Sequence, residues 1–366
     1  MNNPTTHILV ACVTALLLTP LTGLEAANAA TATNDFLLFE TGPFLKENAY
    51  ADCKTPPTDW HEQSGALRLN AAWQTDRSLP WYIEDQQLGG DYVAAGLAYG
   101  NKDEIRWGLK VIDWGFAQMT PDGEFKHPDS YHSGAFFIEA SARALLLIGA
   151  SPLHAEFKDR VAAIKPQLLT AARWMAQPEI RDRFWNPTTR SNERPYGHRR
   201  FLDAAALGLA GVLCKDKDLI ASSAALVRAG LSFQRSDGVI PEKGGHDSHY
   251  QSYSLMYACR YYALVADDAL RAEMKPAMEK GYAWLLTRVR EDGSVDHTGN
   301  SRTGFGQEKT RNKAKQKWLE YRFAAISLAY WAQIMNNPEL EKTARRLFDA
   351  DRRLRADPAA RTWDGY

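Results

Sequence analysis

Two imidazoles and two phenols fall within nine residues of this chain, in Gly245-His246-Asp247-Ser248-His249-Tyr250-Gln251-Ser252-Tyr253. Imidazole titrates near neutrality. A phenol of pKa about 10 becomes a useful base once neighbouring positive charge stabilises its phenolate. Tyr250 and Tyr253 stand three apart, so on a helix they share one face. Upstream lies a second dense stretch, Asn192-Glu193-Arg194-Pro195-Tyr196-Gly197-His198-Arg199-Arg200. Each stretch runs into an apolar segment, Ser254-Leu255-Met256-Tyr257-Ala258-Cys259 in one case and Ala204-Ala205-Ala206-Leu207-Gly208-Leu209-Ala210 in the other. Both read as polar corners in front of buried helices.

A repeated helical plan positions those corners. Three segments pass from an amphipathic helix into an Asp-Gly turn, cross a polar loop and enter an apolar helix, at Asp122-Gly123, Asp237-Gly238 and Asp292-Gly293. The last two are 55 residues apart and the first two 115, close to twice as far, which predicts a further turn near Arg181-Asp182-Arg183. Gly suits such turns because it takes positive φ where a helix stops. Helices that are apolar most of the way round belong inside, and one-faced helices outside. Inner helices are expected near Gln86–Tyr99, Tyr131–Ile148, Arg200–Leu213, Tyr250–Ala266 and Trp318–Met335, each with an outer partner. A further pair is expected around His61–Trp73. The expected fold is all-α, an (α/α) toroid of about six to seven helix pairs in one domain, with residues 351–366 as an extended wrap. Long, chemically varied loops favour this closed ring over an open solenoid.

Placing every loop that enters an inner helix on one rim gathers His127, Tyr131, His132, Asn192, Arg194, Tyr196, His198, Arg199, His246, His249, Tyr250, Tyr253, His297 and Arg302. Six of the nine histidines fall there. That concentration points to proton transfer or anion binding rather than packing.

The 366 residues are 45% hydrophobic and 24% charged, ordinary for a globular chain. Lys+Arg and Asp+Glu balance at 44 each, so no bulk field favours nucleic acid or an anionic membrane. Residues 8–21 form an apolar run too short to span a bilayer, which takes about 20 residues. Ala27 and Ala29 behind it fit a leader-peptidase site. Residues 1–29 are therefore expected to be a signal peptide and 30–366 the mature, periplasmic or secreted domain. Cys53, Cys214 and Cys259 remain, an odd number without a disulfide framework, although one bridge is open to them. Neither CxxC nor HExxH occurs, so no dedicated zinc site is expected, and no cofactor, while a scattered carboxylate and carbonyl site for calcium stays open.

The plan, with Asn192 and His198 before one inner helix and Asp247, Tyr250, Gln251 and Tyr253 at the next, resembles the toroidal polysaccharide lyases, which include alginate lyases and heparinase-like enzymes. In that group an Asn and a His precede a catalytic Tyr by roughly one helix-pair repeat. Here His198 precedes Tyr253 by 55 residues. The pattern departs from the family's where five residues separate Asn192 from His198, and where the usual Asp-Gly-Ser reads His246-Asp247-Ser248. The resemblance implies β-elimination on a uronic-acid-containing polysaccharide such as alginate or glucuronan. The substrate carboxylate is neutralised, a base takes the C5 proton, and an acid protonates the departing O4. It casts Asn192, Arg194 and His198 as the neutralising groups and Tyr253 as base and acid, with Tyr250 or His249 assisting. Glu193 is an alternative that shares a proton with that carboxylate. His127, Tyr131, His132, Trp185, Arg199, His246 and Arg302 are expected to bind the anionic polysaccharide.

Trp81, Trp185 and Tyr131 are the candidates for stacking on sugar rings, against the plainer reading of inter-helix packing. The basic run Lys309, Arg311, Lys313, Lys315, Lys317 fits either a polyanion site or a solvated helix face. One rival is a toroidal glycoside hydrolase, which needs two carboxyl groups flanking the bond, drawn from Glu84, Asp85, Glu139 and Glu242. Another is a glycan-binding protein without turnover.

Overall fold

A computed structural model describes residues 33–51, 64–67, 81–126, 129–184, 196–304 and 321–357. Among them the secondary structure is helical, with isolated bridges in place of strands. Residues 33–40 form α1. The other helices are α2 (Pro43–Asn48), α3 (Leu88–Tyr99), α4 (Lys102–Ala117), α5 (Ser130–Ala150), α6 (His154–Ala176), α7 (Pro178–Phe184), α8 (Gly197–Cys214), α9 (Lys217–Ser232), α10 (Ser248–Leu264), α11 (Asp268–Leu286), α12 (Arg322–Met335) and α13 (Pro338–Ala356).

Five antiparallel pairs result, α3/α4, α5/α6, α8/α9, α10/α11 and α12/α13. The first members pack on one another in chain order as an inner ring, while α4, α6, α9 and α11 form an outer arc. The short pair α1/α2 sits where the ring must close. Phe44 meets Phe348 of α13 with ring centroids 6.1 Å apart, and the Tyr99 hydroxyl at the end of α3 donates to the Lys46 carbonyl at 2.8 Å. The protein is an (α/α) toroid. The pair expected around His61–Trp73 lies outside the described residues except for 64–67, which are turn and extended backbone.

Local chemistry explains the repeat. Three inner helices end on a left-handed residue, Gly100, Lys215 and Asn336, and the next residue caps the outer helix. Asn101, Asp216 and Asn337 each accept two backbone N–H bonds at the start of α4, α9 and α13. An αL stop followed at once by an Asn or Asp start makes a two-residue corner, with orphan carbonyls and amides both satisfied. The return connections carry the Asp-Gly turns, where Gly123, Gly238 and Gly293 have φ of 106°, 92° and 82°. A Cβ on them would stand 2.6, 2.2 and 2.2 Å from the carbonyl oxygens of Thr170, Lys280 and Arg346 in the next outer helix.

Two expectations give way. No Asp-Gly-like turn forms near 181–183, because Pro178 opens the helix α7 there, and Arg181 and Arg183 suit its last turn. Residues 351–356 are not an extended wrap either. They continue α13 to Ala356, with Arg353 and Arg355 at its C-terminal end. Asp351 is buried and accepts from the amides of Tyr321 and Arg322, both at 3.1 Å, docking α13 on the start of α12.

The axis is layered. Phe136 packs under His132 at 4.9 Å and against Tyr257 at 6.3 Å between ring centroids. Deeper lies a buried ionic cluster in which Arg260 bonds Glu139 at 3.0 Å and Arg143 bonds Asp91 at 2.8 Å. Glu40 of α1 enters that cluster, 3.6 Å from Arg143 and in contact with the Tyr330 hydroxyl. Cys214 and Cys259 are free thiols, and Cys53 lies outside the described residues.

Candidate functional site

The inner helices present their N-termini on one rim, and there the two polar corners meet. His198 is the second residue of α8, and Tyr250 lies in the first turn of α10, fixed by Asp247 as the N-cap. Their ring centroids are 4.6 Å apart. His132, in the first turn of α5, approaches His198 at 5.9 Å. Tyr253 lies 6.0 Å from Tyr250 and stacks on Phe323 at 4.2 Å, while His249 fills the space between at 4.9 Å from Tyr253. His132, Tyr196, Arg199, Tyr250 and Tyr253 are partly exposed, and His198, Glu242, His249 and Arg302 are buried behind them.

The buried layer is electrostatically specific. Glu242 Oε2 lies 2.8 Å from His198 Nδ1, and its other oxygen bonds the Arg302 guanidinium. Burial alone raises the Glu242 carboxyl, but His198 and Arg302 outweigh it and hold it below the usual carboxylate range. An ionised carboxylate only accepts, so Nδ1 carries the proton and Nε2 keeps the lone pair. Burial lowers the His198 pKa from 6.5 to about 4, with Glu242 opposing and Arg302 and Arg199 reinforcing the fall. His198 is therefore a neutral imidazole at pH 7, oriented by a buried carboxylate.

Arg302 owes its place to Asp247. The Asp247 carboxylate accepts from the amides of His249 and Tyr250, both at 3.2 Å, from those of Arg302 and Thr303 at 2.9 and 2.8 Å, and from the Thr303 hydroxyl at 2.8 Å. Burial pushes its carboxyl up against these bonds. Asn300 adds a bond from the Ser248 amide to its Oδ1 at 3.0 Å. One cap thus starts the helix and pins the 300–303 loop over it, so that the Arg302 guanidinium sits 4.0 Å from the centre of the Tyr250 ring.

Not every expected residue joins. Tyr131 is buried and stacks on Phe184 at 5.7 Å, with Trp174 at 6.3 Å, in the packing of α5 against α6 and α7. One helical step of about 100° from His132 turns it away from the rim and into this packing, which is the plainer of its two expected roles. His246 lies against Trp284 at 5.6 Å, its Nε2 3.3 Å from the Thr298 carbonyl, and serves the loop. His297 lies beside its own backbone, Nδ1 being 3.4 Å from the Val295 carbonyl. Trp81 packs edge-on to Trp114 at 6.3 Å, as the plainer reading had it. His127, Trp185, Asn192, Glu193, Arg194 and the basic run 309–317 lie outside the described residues.

Of the carboxylates reserved for hydrolysis, Glu139 is consumed by Arg260 in the axial cluster and Glu242 by His198 and Arg302, both out of reach of solvent. Glu84 and Asp85 stand half-exposed on a 3-10 turn before α3. Sequence reasoning missed the orienting role of Glu242 and the stacking role of Phe323. The one sequence signal for the former was an acid two residues after Ile240 in an otherwise apolar extended stretch. Among the described residues no group of three His, Cys, Asp or Glu side chains is placed to hold a metal ion. A separate open cavity, lined by Asp35, Leu38, Phe39, Phe44, Glu341 and Arg345, lies between α1/α2 and α13 and brings no proton-transfer pair together.

No family model matches the chain, and no curated protein matches its sequence. Among solved structures, an unsaturated glucuronyl hydrolase variant with dGlcA-Glc-Rha-Glc is similar at a TM-score of 0.49 and 14% sequence identity, over 88% of this chain and 82% of that chain. A likeness of that degree assigns neither a residue nor a reaction to this protein.

Proposed function

We propose that the protein is a polysaccharide lyase that cleaves a uronic-acid-containing polymer, alginate or glucuronan, by β-elimination. The observation that carries this reading is the chain Glu242, His198, Tyr250, with Nδ1 of the imidazole on the carboxylate at 2.8 Å and its ring 4.6 Å from the phenol ring. Tyr250, partly exposed, meets the sugar. His198 takes the phenol proton on Nε2, and Glu242, which opposes the fall in the His198 pKa, offsets part of the cost of the buried imidazolium so formed. The phenolate, with the Arg302 cation 4.0 Å from its ring centre, removes the C5 proton. The regained phenol proton then goes to O4 as the glycosidic bond breaks and the C4–C5 double bond forms.

This assignment moves His198 from carboxylate neutralisation to proton relay, since a neutral ring accepting through Nε2 carries no positive charge to offer. Asn192 and Arg194 keep the neutralising duty in the proposal. Tyr253, which stacks on Phe323 and lies against His249, becomes a wall of the site. A polymeric substrate goes with export, so the leader at 1–29 and a periplasmic or secreted location belong to the same reading.

The test is a panel of purified uronate polymers incubated with the protein while far-ultraviolet absorbance of the new double bond is followed. Absorbance growth on one polymer, abolished by Tyr250→Phe, is the expected result. Reducing ends released without absorbance would transfer the reading to hydrolysis.

A further inference from the structure

Four inner helices each place a ring in their first turn at the rim. These are His132, third in α5, His198, second in α8, Tyr250, third in α10, and Phe323, second in α12. With Tyr253 between the last two they form one arc, with successive ring centroids 5.9, 4.6, 6.0 and 4.2 Å apart. The chemistry changes along it. Imidazoles and phenols carry protons, and the benzyl ring of Phe323 has no polar atom with which to do so. The proposed relay ends at Tyr250, so Tyr253 and Phe323 continue the arc beyond the reacting group.

Helix packing uses only part of Phe323. Ala324, Ala325 and Leu328, which follow it in α12, are buried in the core, while Phe323 packs against that core and stays partly exposed. Tyr253 is partly exposed beside it. The two rings thus leave apolar surface open on a rim otherwise furnished with His, Tyr and Arg, which is a mark of a contact surface.

The geometry of the pair is fixed. Tyr253 and Phe323 stack at an interplanar angle of 28°, and Tyr250 and Tyr253 at 29°, so the three rings run nearly parallel. His249 stands edge-on to both members of the pair, 4.9 Å from Tyr253 and 5.8 Å from Phe323. Such a wall is ordered before a ligand arrives, and rings with two rotatable bonds lose little freedom on binding. Its natural occupant is a pyranose. A sugar in a chain carries hydroxyls and carboxylate around its edge and C–H groups on its faces, and a C–H face packs on aromatic carbon by dispersion.

We propose that Tyr253 and Phe323 are a stacking subsite for the sugar next to the one that reacts, held by its C–H face rather than by its charge. The affinity gained there is then independent of salt, which screens charges and leaves dispersion alone. This deepens the uronate-polymer reading and rests on it.

The test uses full-length protein carrying Tyr250→Phe, so that ligand is not consumed, with calorimetric titration of mannuronate and glucuronate hexasaccharides at low and high salt. Phe323→Leu keeps the apolar bulk and removes the ring, while Phe323→Tyr keeps the ring. The leucine variant is expected to weaken binding about three- to tenfold, the worth of an aromatic contact beyond its area, and by the same factor at both salt concentrations. The tyrosine variant is expected to restore the affinity, which a merely structural role for the position would not predict. Tyr253→Leu and Tyr253→Phe repeat the comparison on the other ring, so the subsite stays testable if one position proves essential for folding by its urea midpoint. Affinity unchanged in both leucine variants overturns the subsite, as does a loss that high salt abolishes, or no binding of either hexasaccharide by the parent. Binding that depends on the ring at 323 in a chain that yields no unsaturated product with any polymer would sink the elimination alone. Product formation with binding indifferent to both rings would sink the subsite alone.

Discussion

The Arg302 guanidinium lies over the Tyr250 ring, 4.0 Å from its centre, while the same group bonds Glu242 beneath it. One side chain thus joins the phenol that meets solvent to the carboxylate that orients His198. Its planar fork serves both contacts, which a lysine ammonium cannot do. Tyr253, on the same helix face, has Phe323 at 4.2 Å instead. Tyr250→Phe is expected to lower kcat by about 10³-fold or more, and Tyr253→Phe by less than about tenfold, in the range attributed to a general acid-base group and to its neighbour. Initial rates of double-bond absorbance decide between them, and the reverse ranking would make Tyr253 the base.

Glu242→Gln removes the charge that stabilises the imidazolium and frees the tautomer of His198. A fall in kcat of about 10²- to 10⁴-fold is expected, with the fold intact by circular dichroism. In the parent the relay needs a neutral His198, whose pKa is about 4. The acid limb of kcat/KM therefore falls near pH 4, and a limb at 6.5 would place the titrating histidine in water.

The same depressed pKa fixes a sign for stability. His198 takes up a proton at about 4 when folded and at 6.5 when unfolded, so unfolding binds protons between those values. Stability from this group is complete above pH 6.5 and drains away as pH falls towards 4. Urea midpoints across that window are expected to slope less in His198→Gln than in the parent, and equal slopes would count against the buried neutral ring.

Asp247→Ala strips five acceptor bonds from one buried carboxylate. Loss of the cap and of the loop anchor is expected to cost about 3 kcal/mol, seen in chemical denaturation. A loss below about 1 kcal/mol would mean that the 300–303 loop is held by something else.

Gly238→Ala and Gly149→Ala are expected to move stability in opposite directions. At Gly238 the φ of 92° and a Cβ 2.2 Å from the Lys280 carbonyl oxygen cost about 2–3 kcal/mol. At Gly149, in α5, a Cβ meets nothing within 4 Å, and alanine is expected to gain about 0.5 kcal/mol. Melting temperatures of the pair test whether the Asp-Gly turns carry the repeat.

The ring of helices was legible because its two signals are local. Asp-Gly stops recur at Gly123, Gly238 and Gly293, and the helices after them are apolar on every side. The corners at Lys215-Asp216 and Asn336-Asn337 escaped notice because lysine and asparagine stand where glycine is the familiar mark. Half of the site was legible too, since His198, His249, Tyr250 and Tyr253 precede buried helices directly. Glu242 was not legible as their partner. It lies 44 residues from His198, and only burial converts an acid suited to hydrolysis into an orienting group. Tyr131 failed for the opposite reason, sitting beside His132 in sequence while a helical turn carries it to the other side.

Glu40 gives the toroid a particular assembly order. Its helix, the first among the described residues, finds its partners on Arg143, Arg260 and Tyr330, the last of these 290 residues downstream. Contacts of such long range form late, after the loop-closure entropy of nearly the whole chain has been met. Until α1 docks, Arg143 and Arg260 of the axial cluster are short of one buried counterion. A chain without α1 is thus a ring left ajar at its axis.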